Sequence, residues 1–140
     1  MNRTIKFRGK RIADKEGWVY GWLVKIDNNY IIAVETDINT VGYIVIPETI
    51  GMFTGLHDSN GKEIYEGDII SVNGAYPKII RFIDRFACFC MANISELKDE
   101  KWREIWQQPS TGWWQDFKRV IVVEGNEHDY PELLKQEDGK

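Results

Sequence analysis

The stretch TGLHDSNGKEIYEGDII, residues 54–70, carries three glycines, two aspartates and two glutamates in seventeen positions. It either grips a ligand or turns the chain, and its spacing decides which. A calcium loop of the EF-hand kind needs oxygen ligands at positions 1, 3 and 5, glycine at 6 and glutamate at 12. Counted from Asp58, glycine comes two places early, at Gly61. Lys62 stands where a third ligand belongs, and Ile69 where the glutamate belongs. A phosphate loop needs Ser or Thr after Gly-Lys, and a helix beyond it. Here Gly61-Lys62 is followed by Glu63 and a β-like run. The turn reading accounts for every residue. Asp58 and Asn60 bond to nearby backbone amides, Gly61 takes the left-handed conformation, and Gly67 bends the chain before Asp68 opens the run IISV.

Outward from this stretch the chain reads as short strands. In Ile5–Arg11, apolar Ile5 and Phe7 with Gly9 alternate with Lys6, Arg8 and Lys10, a period of two. WVYGWLVKI, 18–26, places Trp18, Tyr20 and Trp22 on one face. Leu23 and Val24 interrupt the alternation, so a bulge is expected at Gly21. YIIAVE (30–35), VGYIVI (41–46), IISV, PKIIRFIDRFACFCMA (77–92, one or two strands) and KRVIVVEGN (118–126) are rich in β-branched and aromatic residues. Asn73-Gly74 marks a tight turn. One segment differs. In 93–108 the apolar residues Ile94, Leu97, Trp102, Ile105 and Trp106 approximate helical spacing, Asn93 and Glu96 fit a capping box, and Pro109 stops the run. The tail offers one further helical turn behind Pro131.

The expected fold is therefore mostly β: a small curled antiparallel sheet or β-barrel. One inserted helix spans about 93–108, and a short helical turn lies near the C-terminus. No linker divides residues 1–140, so one domain is expected. Of these 140 residues 43% are hydrophobic and 13% aromatic, enough to bury a core. No apolar run reaches the length of a membrane span, and no apolar segment follows the basic residues of MNRTIKFRGK as a signal peptide requires. Two cysteines form no disulfide framework, which fits a cytoplasmic protein. The net charge of −4 is arranged in blocks: residues 1–15 carry six bases against Asp14, whereas residues 26–75 carry eight acids against Lys62. That balance argues against a protein that coats nucleic acid, though not against a local basic face.

Residues 54–70 resemble the signature of the YopX family, small proteins of phages and prophages. The likeness rests on Thr54, Gly55, Leu56, Asp58, Asn60, Gly61, Lys62, Ile64, Tyr65, Glu66, Gly67 and Asp68. It is joined by IKFRGK, WVYGWL, IPETIG and VVEGNEHDYPELL elsewhere in the chain. Residues 75–117 show no such likeness, and His57 stands where a basic residue is more usual. The resemblance implies a mostly-β fold and a phage or prophage origin. The family carries no established activity, so the resemblance transfers no catalytic residue. The signature positions Thr54, Gly55, Leu56, Asp58, Gly61, Tyr65, Glu66, Gly67 and Asp68 are read as structural.

Three further features bear on function. Cys88 and Cys90 face the same way on a strand and, with His57 and His128, match a zinc donor set in number. Their spacing is wrong for a structural site, and small buried hydrophobes explain them better. Lys6, Arg8 and Lys10 beside Trp18, Tyr20 and Trp22 could hold a phosphate backbone and stack bases. They could equally neutralise the acidic middle of the chain. Trp102, Trp106, Trp113 and Trp114 crowd one region. Two adjacent tryptophans on an extended segment cannot face one core, which points to a protein-binding patch at 102–117. The expectation is a non-enzymatic binding protein without metal or cofactor, acting on itself or on a host or phage protein. The alternatives are a nucleic-acid accessory module using the basic strand and, more weakly, an enzyme using the acids of 58–68.

Overall fold

The computed structural model describes residues 3–15, 17–99 and 105–134, and it is mostly β as the sequence implies. The chain forms two compact units, Met1–Gly55 and Leu56–Lys140.

The first unit contains β1 (Phe7–Lys10), β2 (Trp18–Ile26), β3 (Asn29–Glu35), β4 (Thr40–Ile44) and the start of β5 (Gly51–His57). They lie in the antiparallel order β4-β3-β2-β1-β5. The sheet curls until the end of β4 and the residues after it meet the end of β1 and the residues after it: Ile12 N–H donates to the Ile44 carbonyl at 3.0 Å, and Ile46 N–H to the Lys10 carbonyl at 2.8 Å. The contact is a single bridge, Arg11 to Val45, and not a continuous ladder, so the barrel stays unclosed. Ile32 and Val45 are fully buried on the concave side. Gly9 makes room for Val45, whose side chain would lie 3.0 Å from any Cβ added there.

The expected bulge at Gly21 is absent. Residues Trp18–Gly21 pair with β1 and Trp22–Ile26 with β3, each in regular register. Glycine is needed for a different reason: a Cβ there would sit 2.1 Å from the Ala33 carbonyl oxygen. Without a bulge, period two continues unbroken. Trp18, Tyr20, Trp22, Val24 and Ile26 then share one face.

The second unit begins with the last residues of β5 and the short β6 (Glu63–Tyr65). Its main sheet contains β7 (Asp68–Val72), β8 (Ala75–Ile83), β9 (Cys88–Asn93) and β10 (Ile121–Asn126), in the order β10-β7-β8-β9. Asn73 and Gly74 both take positive φ, 55° and 76°, in the tight turn from β7 to β8. All five residues of β7 are buried, because the sheet is covered on both faces. Ile69, Ile79, Cys90 and Ala92 point into one cluster, while Ile70, Ile80 and Met91 point into another.

Each cover departs from expectation. The helix expected at 93–108 is not formed as such. Ile94–Asp99 is a 3-10 helix, residues 100–104 lie outside the described residues, and Gln107 is extended, exchanging 2.9 Å backbone hydrogen bonds with Met91. Asn93 and Glu96, read as a capping box, meet through their side chains. The Asn93 amide donates to the Glu96 carboxylate and accepts from Lys78, its cross-strand partner. The spacing nonetheless marked a buried set, since Ile94, Ile105 and Trp106 share one core cluster with Leu97 against it. The one α-helix among the described residues is α1 (Thr111–Phe117), in a segment read as extended. Ser110 caps it, its hydroxyl accepting from Trp113 N–H at 3.0 Å. The expected C-terminal turn is present as Pro131–Leu134.

The Gly21 contact is directly testable. Gly21→Ala places a methyl against backbone that cannot rotate away, and a cost of about 2 kcal/mol or more is expected. A urea midpoint equal to that of the unaltered chain would contradict the close approach to Ala33.

Candidate functional site

The densest polar arrangement in the second unit is the loop of residues 58–68. Asp58 is 7% exposed, and both its oxygens are occupied by backbone. Oδ1 accepts from Asn60 N–H and Lys62 N–H, each at 2.9 Å. Oδ2 accepts from Val123 N–H at 3.0 Å, 65 residues along the chain. Ser59 N–H donates to the Ile121 carbonyl at 2.8 Å, so the turn is fastened to β10 at two points. Burial alone would push the Asp58 carboxyl up. The three backbone donors, with the nearby Lys62 ammonium, outweigh it and hold the carboxyl below its ordinary value.

The second half of the loop is built the same way. Asp68 is 1% exposed, and its Oδ2 accepts from Tyr65 N–H at 2.7 Å. Gly67 takes φ 93° and donates its N–H to Ile80, while its carbonyl accepts from Glu127. The Glu66 carboxylate accepts from Phe82 N–H, and Glu63 from the Tyr65 hydroxyl. These acids hold backbone or a neighbouring hydroxyl; they do not converge on an open cleft.

The basic stripe lies in the first unit. The Arg8 guanidinium and the Lys10 ammonium sit over the Trp18 ring, at 4.7 and 5.7 Å from its centre. The Lys6 ammonium sits over Phe53 at 5.7 Å. Arg8 is 4% exposed. The stripe is thus engaged with aromatic faces of its own unit.

The tryptophans are divided. Trp102 lies outside the described residues. Trp106 is in the core, 5% exposed. Trp113 and Trp114 are half-buried and both pack against the cluster of Ile70 and Ile80. Adjacent residues share a core here because they stand on a helix, where successive side chains are about 100° apart.

With this geometry established, the chain can be set beside known proteins. The model of the family described as YopX protein matches residues 6–135. The chain belongs to the YopX family. No curated protein matches it. The crystal structure of protein EF1440 from Enterococcus faecalis is similar in fold, with a TM-score of 0.56 and 20% identity. The match covers 96% of this chain and 100% of that one. Within the signature of this YopX chain, Asp58, Glu66 and Asp68 accept hydrogen bonds from backbone amides.

Cys88 and Cys90 do share a side of β9, with their sulfurs 3.8 Å apart. Among the described residues no group of three or more His, Cys, Asp or Glu gathers as a metal site. No helix among them is long and apolar enough to cross a membrane. Two features of this YopX chain escaped the sequence reading. One is the continuation of the Trp18, Tyr20 and Trp22 face of β2 through Val24 and Ile26, which the expected bulge would have interrupted. The other is a cleft in the second unit lined by Lys78, Gln108 and Trp113. It joins residues from four separate segments and leaves no local pattern.

Asp58→Asn keeps the shape but turns a donor toward a backbone N–H, and a loss of about 2–3 kcal/mol is expected in urea denaturation. Because the folded carboxyl is held below its ordinary value, its contribution is complete above about pH 4. It is lost as the pH falls through the lower folded value. The variant's stability should therefore fall less between about pH 4 and pH 2 than that of the unaltered chain. Parallel profiles would contradict the assignment.

Proposed function

We propose that this YopX-family chain is a non-enzymatic binding protein of a phage or prophage, acting in the cytoplasm by pairing with a second copy of itself. The observation that supports the reading is the outer face of β2. Tyr20, Trp22, Val24 and Ile26 recur at every second position and are 43%, 59%, 38% and 53% exposed. The row continues sideways through Ile31 to Ile44, since Val24 is registered with Ile31 and Ile31 with Ile44. Ile44 is itself 44% exposed. A contiguous apolar strip of this kind marks a contact surface.

A second copy suits the strip because its two ends differ in charge. Lys10 is registered with Trp18 at one end, and Asp27 follows Ile26 at the other. Two strips laid antiparallel about a twofold axis bring the lysine end of each to the aspartate end of the other. Trp22, near the centre, is the residue type most often dominant in such contacts. The described tryptophans at 106–114 are less suited: Trp106 lies in one core cluster, and Trp113 and Trp114 are packed against the other.

Light scattering on the intact chain is the test. The unaltered protein should have the mass of a dimer at micromolar concentration, and Trp22→Glu the mass of a single chain with its folded spectrum retained. A mass of one chain for the unaltered protein, or an unchanged dimer in the variant, rejects this surface.

A further inference from the structure

We propose that a cleft in the second unit binds a small organic carboxylate with an apolar body. The cleft has a volume of about 370 Å³ and is bounded by β8, β9, residues 107–110 and the start of α1. That volume lies within the range of small-molecule sites, about 300–1,000 Å³.

The chemistry of the walls selects the ligand. Lys78 contributes an ammonium that is partly removed from water. It gives one hydrogen bond to Asn93 Oδ1, and the Asn93 amide donates to Glu96 Oε1 at 2.6 Å. This chain of contacts positions the ammonium and leaves it further N–H donors. Loss of hydration lowers its proton affinity, with the Glu96 charge opposing. An anion arriving there displaces less water than at a surface lysine. Gln107, Gln108 and Ser110 add amide and hydroxyl donors. The Gln107 backbone is locked to Met91 in both directions, and Ser110 is fixed as the cap of α1. Met91 and Trp113 supply apolar surface.

The set is rich in donors and holds one cation, already shared with a carboxylate at one remove. A monoanion with two acceptor oxygens fits better than a phosphate dianion, for which arginine is the usual partner. Among the described residues lining the cleft none is an arginine. A second cleft in the same unit lacks this character. Its charged residue is Glu124, whose carboxylate accepts from the Ser71 hydroxyl at 2.6 Å.

The carboxylate could be that of a free small acid or the end of a polypeptide, and one titration distinguishes them. N-acetylphenylalanine added to the intact chain should shift the amide resonances of Gln107, Gln108 and Ser110 and the indole resonance of Trp113. N-acetylphenylalanine amide should bind more weakly by about tenfold. Lys78→Met should lose about tenfold in affinity for the acid. Gln108→Leu, which leaves the Lys78–Asn93–Glu96 contacts intact, should lose roughly threefold, and so tests the cleft without disturbing the sheet. A hexapeptide ending in phenylalanine with a free terminus, compared with its amidated form, supplies the second arm. Binding as tight as the small acid assigns the ligand to a chain end; binding of the small acid alone assigns a free metabolite. Equal binding of acid and amide, tighter binding of inorganic phosphate, or no shift at millimolar acid would overturn the proposal.

Discussion

The second unit depends on one carboxylate meeting three backbone amides. Asp58 closes its own turn through Asn60 and Lys62, and the same side chain reaches Val123 on the last strand of the sheet. A loop of glycine and acid would otherwise be free to move. Here it becomes the edge partner of β10, because leaving a buried N–H without an acceptor costs as much as breaking a strong hydrogen bond. Asp68 repeats the device at the start of β7, taking the Tyr65 amide at the point where Gly67 reverses the chain. The two aspartates therefore set where β7 begins and where β10 lies beside it. Both strands carry buried isoleucine into the unit's cores. An acid already holding amides has few lone pairs left for a metal ion, and at Asp58 the carboxyl is held below its ordinary value by those same amides.

Local chemistry of this kind was legible in the sequence. Asx turns, a Gly needed at positive φ and an Asn-Gly reversal involve residues within five positions of one another, so their spacing carries their meaning. The strands were legible for a related reason, since period two is a local property. What failed were inferences in which tertiary context overrode the local pattern. Ile94, Leu97, Ile105 and Trp106 have near-helical spacing because they fill one cluster. They reach it from a 3-10 turn and an extended segment, with Gln107 held by the edge of β9. On an extended segment Trp113 and Trp114 would diverge. The Ser110 cap makes the segment a helix, and the divergence disappears.

The error at Gly21 is more instructive. A bulge was the natural repair for a strand apolar on both faces, because an outward apolar face seems to need correcting. The structure leaves it uncorrected: β2 changes partner at Gly21 without slipping register, and the tyrosine, tryptophan, valine and isoleucine of its outer face remain in water. The basic strand beside it shows a different resolution of a similar problem. Lys6, Arg8 and Lys10 alternate with the core residues and would be expected outside. Arg8 is instead buried, with Trp18 supplying the electron-rich face that a cation requires when it leaves water. A contact of that sort is worth from about 0.5 to 2 kcal/mol, so a nucleic-acid backbone competing for these cations would first have to displace them from their rings.

The two units thus treat apolar surface differently, and the contrast bears on function. In the second unit both faces of the sheet are covered by the chain's own segments, and β7 is buried at all five positions. In the first unit the sheet curls onto its concave side around Ile32 and Val45, while on the other face Arg8 of β1 is buried and Tyr20, Trp22, Val24 and Ile26 of β2 are exposed. On that other face β2 alternates large apolar side chains with the core-facing ones. A sheet selected only for folding would carry polar residues at those positions, as antiparallel sheets with one wet face commonly do. Trp22 at 59% exposure and Ile26 at 53% leave about half of their apolar surface in water in an isolated chain. Such residues become favourable once another surface removes them from water, which is the physical basis for assigning that face to a contact.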